Sequence, residues 1–187
     1  MLIKKLFRPI AFWLYKKVKY PGVIIEGDPR RVKIGSGTVI SNRAILSVKH
    51  GGSITIADNC EVHIGVYLAT YGGNIVIGND CSFNPYCIVY GHGGLQVGNH
   101  VRVATQSVIV PANHVFMDAS KRIGEQGLTK EGIYIGNDVW IGAGVKILDG
   151  VTIANGAVIA AGSVVNKSIN DFEVHAGVPN KKITKRG

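Results

Sequence analysis

The sequence predicts an all-β fold, a left-handed parallel β-helix of about six coils, on three observations. Aliphatic residues recur every six positions, as in Ile135, Ile141, Ile147, Ile153, Ile159 and Val165. A small or β-branched residue stands four places after each, as in Thr38, Ala44, Cys60, Val66, Cys81 and Cys87. Asn, Asp and Gly fill the places between, as in Asn79-Asp80, Asn99, Asn137-Asp138 and Asn155-Gly156. A helix repeats every 3.6 residues and an ordinary strand every two, so neither sustains a period of six. Stacked coils of three short strands do, at about 18 residues per turn. Asn, Asp and Gly supply the tight turns, which require positive φ.

Taken in chain order, residues 1–20 lack the period. Ile3, Leu6, Phe7, Ile10, Trp13 and Leu14 keep helical spacing, with the cations mostly elsewhere on the wheel, which predicts a basic amphipathic helix. Pro9 interrupts or kinks it and Pro21-Gly22 ends it. Two roles are open to this helix: covering the exposed end of the first coil, or lying on an anionic lipid surface with Trp13 and Phe7 at the headgroups. The longest apolar run, Ile10 to Tyr15, is too short to span a bilayer.

The β-helix domain is predicted over 21–169. Its earlier registers read Ile34, Ile40, Leu46; Ile56, Val62, Leu68; Ile77, Phe83, Val89; and Val97, Val103, Ile109. Gly51-Gly52, Gly72-Gly73 and Gly93-Gly94 interrupt the period where one coil passes to the next and read as bulged corners. Residues 110–132 form an extruded loop that adds 20 residues to the period. Long loops on rigid scaffolds carry function or are disordered, and the mixed composition here is not low-complexity. Residues 170–187 leave the period and are predicted to be a basic tail folding back along the column.

Length suits one domain. The net charge of +9 suggests nucleic acid until it is located. Lys4, Lys5, Arg8, Lys16, Lys17 and Lys19 at one end and Lys181, Lys182, Lys185 and Arg186 at the other lie in acid-free segments, and the chain between is nearly neutral. With no nucleic-acid fold signature, no nucleic-acid partner is expected. Cys60, Cys81 and Cys87 fall on inward small seats and read as buried packing residues. Their odd number, with no zinc spacing or signal peptide, points to a reducing cytoplasm.

The repeats, the loop beginning Asn113-His114, the stretch Ile135-Gly136-Asn137-Asp138-Val139-Trp140-Ile141-Gly142-Ala143-Gly144 and the closing Ala176-Gly177-Val178-Pro179 together resemble the hexapeptide-repeat acyltransferases. The resemblance covers roughly residues 34–183 and is to the maltose/galactoside O-acetyltransferase branch and its surface-polysaccharide relatives. It implies a homotrimer with active sites between prisms, acetyl-CoA as co-substrate, a saccharide acceptor and no metal. It implies that His114 is the general base, a role suited to an imidazole titrating near neutrality. Asp118, Glu125 or a backbone carbonyl would fix its tautomer. By similarity, the oxyanion falls to backbone N–H groups at Gly142 and Ala143, and the acceptor to Asn84 and Asn113. The cofactor falls to Trp140, Gly142, Ala143, Ala160, Asn166, Lys167 and Lys181, the lysines facing phosphates. Trp140 serves trimer packing equally well, and the lysines could equally be solvated. Pro85-Tyr86 after Asn84 departs from the family pattern, as do residues 1–33. His63 and His92 are further acceptor-end candidates or plain surface side chains.

The predicted activity is O-acetylation of a sugar hydroxyl in envelope polysaccharide or lipopolysaccharide synthesis, at the inner face of the membrane. N-acetylation of an amino sugar is the runner-up. A γ-class carbonic anhydrase needs a second loop histidine, and Ala119 occupies that region. A non-catalytic β-helix would show Thr ladders and no extruded loop, and a fused nucleotidyltransferase would need a further domain.

Overall fold

The computed structural model describes residues 19–187. The helix expected over 1–20 falls outside the described residues, except for Lys19 and Tyr20. The Tyr20 ring is buried in the core cluster at the start of the column.

The rest winds into a left-handed β-helix of about seven turns with three flat faces. Face A stacks Ile24–Glu26, Ile45–Ser47, Tyr67–Ala69, Ile88–Tyr90, Val108–Ile109, Lys146–Ile147 and Val164–Val165. Face B stacks Val32–Ile34, Ser53–Ile56, Asn74–Ile77, Leu95–Val97, Ile133–Ile135 and Thr152–Ile153. Face C stacks Val39–Ile40, Glu61–Val62, Ser82–Phe83, Arg102–Val103, Trp140–Ile141, Val158–Ile159 and Glu173–Ala176, all parallel, and ends on the antiparallel Lys181–Lys185. The chain runs B, C, A in each turn, so three corners, A–B, B–C and C–A, recur up the column.

The six-residue period has a plain cause. The aliphatic of each hexapeptide and the small residue four places on both point inward, and the two series form one core. Leu46, Ile56, Leu68, Ile77, Phe83, Ile109, Ile135, Ile141 and Ile147 are all essentially without solvent contact. Cys60, Cys81 and Cys87 share that core, their thiols donating to the carbonyls of Gly78, Gly98 and Ala104 at 3.0, 3.1 and 3.1 Å. Burial pushes the Cys87 thiol up to about 11, so it stays protonated and unreactive.

Each corner has its own device. At corner B–C the side-chain oxygens of Asp58, Asn79, Asn99, Asn137, Asn155 and Asp171 each accept a backbone N–H from the coil before. This ladder satisfies turn donors that would otherwise face the gap between coils. At corner A–B the paired glycines let backbones touch. A Cβ on Gly52 would overlap the carbonyl oxygen of Gly73, and one on Gly73 that of Gly91.

The column exceeds the expected six coils at both ends. Ile24–Glu26 precedes the first complete turn, and Ile169 bridges to Ile153 before Glu173–Ala176 extends face C. In this last turn His175 takes the inward seat stacked on Ile159, and Glu173 is buried beside it. Glu173 Oε2 accepts from His175 Nε2 at 2.9 Å, and Oε1 from Lys182 at 2.9 Å. A polar pair thus closes the apolar column, where an aliphatic would leave an open hydrophobic end. Residues 170–187 therefore form the last rung and its hairpin at the column's end.

Candidate active site

The loop 110–132 leaves from corner A–B, between Val108–Ile109 and Ile133–Ile135. It is an ordered hairpin: Asn113–His114 pairs antiparallel with Leu128–Thr129. Two groups hold its base. Below, Gly93 N–H donates to Pro111 O at 3.1 Å, over a ring stack in which His92 lies 4.6 Å from Tyr71, itself stacked on His50. Burial, and then the Lys130 ammonium, lower the His92 pKa. Above, the Asp149 carboxylate accepts the N–H groups of Glu131 and Gly132, both at 3.0 Å, and the Thr129 hydroxyl at 2.7 Å. Thr129 Oγ1 in turn accepts Asn113 N–H at 3.2 Å, next to His114. Neither clamp was legible in the sequence, because each joins residues a full coil apart.

His114 is exposed on this hairpin. The two loop carboxylates expected to orient it are engaged elsewhere. Asp118 bonds Ser120 and Lys121, and Glu125 pairs with Arg122. The Ser120 hydroxyl, followed by Lys121, holds the Asp118 carboxyl below its usual range. Phe116, Met117 and Ile123 stand exposed further along the same hairpin.

The other expected site residues fall on two further places. Asn84, Gly142 and Ala160 lie in one row at corner C–A. The row runs Ser41, His63, Asn84, Ala104, Gly142, Ala160, one residue per coil, each donating its N–H to the coil above. This requires a correction: Gly142 N–H is committed to Ile159 O at 2.8 Å and cannot also hold an oxyanion. For the next residue, Ala143, no such bond of its N–H is found among the described residues. Asn84 is half-buried, its Nδ2 donating to Val103 O at 3.0 Å, which leaves Oδ1 for a ligand. Asn166 and Lys167 are exposed at corner A–B, above the hairpin. Trp140 and Lys181 are exposed on face C. Within one chain His114 and the Asn84–Gly142 row stand at different corners, with the width of face A between them. Among the described residues no three His, Cys, Asp or Glu groups converge as a metal-ligand set, and no helix is long and apolar enough to cross a membrane.

Residues 132–167 match the family described as bacterial transferase hexapeptide (six repeats). The probable acetyltransferase Rv3034c of Mycobacterium tuberculosis (strain ATCC 25618 / H37Rv) is 28% identical over 180 residues, covering 95% of this chain and 57% of the relative. The chain thus spans little more than half the length of that relative. Among solved structures, AntD, an N-acyltransferase from Bacillus cereus in complex with dTDP and 3-hydroxybutyryl-CoA, superposes with a TM-score of 0.60 at 20% identity. The alignment covers 89% of this chain and 78% of AntD. A variant of AntD bound to dTDP-4-amino-4,6-dideoxyglucose and Coenzyme A gives 0.61 at 22% identity, covering 89% and 79%. At that identity the likeness shows the fold alone.

Proposed function

We propose, from its membership of the hexapeptide-repeat transferases, that this chain moves an acetyl group from CoA to a sugar hydroxyl. One observation carries the reading: a row with Asn84, and with the Ala143 N–H beside Gly142 unbonded among the described residues, on one corner, and a hairpin presenting His114 on the next. A cyclic trimer brings the A–B corner of one chain against the C–A corner of its neighbour and completes the site. The exposed Phe116, Met117 and Ile123 are then covered in the seam.

In the proposed reaction an acceptor hydroxyl oxygen attacks the thioester carbonyl carbon while His114 takes its proton. Ala143 N–H stabilises the oxyanion. Collapse breaks the C–S bond, and the CoA thiolate leaves with the proton held on His114. Asn166 and Lys167, on the hairpin's own corner, and Ala160 and Lys181 beside the row would flank CoA, the lysines meeting its phosphates. Asn113 and Asn84 would hold the acceptor. In this reading Trp140, outward on face C, borders the cofactor groove.

An amino sugar, giving an amide, is the second reading. Asp118 and Glu125 pair with Lys121 and Arg122 rather than with His114, and a nucleophilic amine tolerates a less firmly oriented base better than a hydroxyl does. A lipid-linked or membrane-proximal glycan, with residues 1–20 on the bilayer, remains the proposed setting. Mass spectrometry of saccharides incubated with acetyl-CoA and the protein tests the reading. A gain of one acetyl group, lost in His114→Ala, supports it, and hydroxylamine distinguishes a labile ester from a stable amide. No transfer to any saccharide contradicts it.

A further inference from the structure

The turn that closes the column carries a circuit of buried bonds whose two ends lie on either side of one exposed lysine. Asn180, His175 and Glu173 are each more than nine-tenths buried. The Asn180 side chain donates from Nδ2 to His175 Nδ1 at 2.8 Å, and His175 Nε2 donates to Glu173 Oε2 at 2.9 Å. Glu173 Oε1 accepts from the Lys182 ammonium at 2.9 Å. The circuit therefore starts at Asn180, ends at Lys182 and encloses Lys181, which takes part in none of these bonds and is exposed.

Strand register explains the arrangement. In the closing hairpin Lys182 pairs with His175 and Lys181 with Ala176. Paired residues share a face and successive residues alternate. Lys182 thus turns with His175 towards the core side, and Lys181 turns the other way. The backbone is tied as well: Asn180 N–H donates to Val164 O at 2.9 Å, and Ala160 N–H to His175 O at 2.8 Å. Since His175 stacks on Ile159, Ala176 stands above Ala160, with Lys181 beside it, two coils or about 10 Å above Gly142. This is the end of the row away from Asn84, where a cofactor with its thioester at Ala143 would carry its phosphates. Aliphatic side chains at 175 and 180 would fill the same seats by packing alone. Hydrogen bonds add direction, holding both neighbours of Lys181 in one orientation and leaving its ammonium one side of the hairpin to occupy.

Resting on the proposed transfer chemistry, we infer that Asn180, His175 and Glu173 are positioning residues for CoA. Through their bonds to the two neighbours of Lys181 they hold its ammonium on the phosphates. They touch neither the thioester nor the acceptor.

CoA binding is measured by calorimetry, and that of pantetheine, which has the same arm without the phosphates, by competition against it. Lys181→Ala should weaken CoA about tenfold, the scale of one charge-assisted contact. Asn180→Ala, with Lys181 intact, should weaken it about threefold, as should His175→Gln, which cuts the circuit one residue further on. None of these should change pantetheine binding, which a general loosening of the column would also weaken. Combining Asn180→Ala with Lys181→Ala should cost no more than Lys181→Ala alone. Losses that multiply in the double variant, equal losses for CoA and pantetheine, or CoA affinity unmoved by both Asn180→Ala and His175→Gln overturn the inference and leave the transferase reading intact. A protein that binds CoA in the expected pattern yet transfers acetyl to no saccharide overturns that reading instead.

Discussion

The carboxylate of Asp149 accepts the Thr129 hydroxyl at 2.7 Å, and Thr129 Oγ1 accepts the N–H of Asn113 at 3.2 Å. Two bonds in series therefore run from the rigid column to the residue before His114. Asp149→Ala releases both Thr129 and the Glu131–Gly132 amides. Acetyl transfer should fall by about 10²-fold, the usual loss when a catalytic group is misplaced by about 1 Å. CoA affinity, read by calorimetry, should not change. Asp149→Asn, which can still accept from Thr129, should lose less.

The corner B–C ladder predicts a stability effect at an exposed position. Asn137 Oδ1 accepts Asn99 N–H at 2.8 Å, and its Nδ2 donates to Asn155 at 3.1 Å. Asn137→Ala removes both bonds and should cost about 1–2 kcal/mol. A lower urea midpoint with an unchanged slope checks this.

At corner A–B, Gly52 has φ of +72°, and a Cβ added there would overlap the Gly73 carbonyl oxygen. Gly52→Ala meets both a strained backbone and an overlap, and should cost more than about 2 kcal/mol. Gly94→Ala has no neighbour to strike and should cost less despite its own positive φ. Thermal melts of the two variants compare them directly.

Glu173 gives the column an acid limit. His175, and then Lys182, hold its carboxyl down at about 2, from an ordinary value of 4.5. A depressed carboxylate contributes stability that is complete above its unfolded pKa. That contribution is therefore full above pH 4.5 and is lost as pH falls from there towards 2. Urea midpoints taken from pH 7 to 2.5 should drop in that window, and Glu173→Gln should flatten the drop while lowering stability at pH 7.

Much of this was legible in the sequence, and the rest was hidden for definite reasons. The series from Ile135 to Val165 gave the fold because an aliphatic fills one inward seat of every hexapeptide in that run. The last turn was missed because polar Glu173 and His175 occupy those seats, and their mutual pairing shows only in three dimensions. The row holding Asn84, Gly142 and Ala160 was implicit, since each follows an inward residue. The loss of the Gly142 N–H was not, because its acceptor, Ile159 O, belongs to the next coil. The Asp149–Thr129 clamp and the His92–Tyr71 stack join residues 20 and 21 apart, and the corner glycines vary that spacing.

The central claim is that His114 of one chain acts at the Ala143 row of another. Mixing two inactive variants, His114→Ala and Ala143→Pro, under conditions that exchange subunits tests it most directly. The account predicts that acetyl transfer returns, because some seams then pair an intact histidine with an intact row. A mixture that exchanges subunits yet stays as inactive as either parent would contradict it.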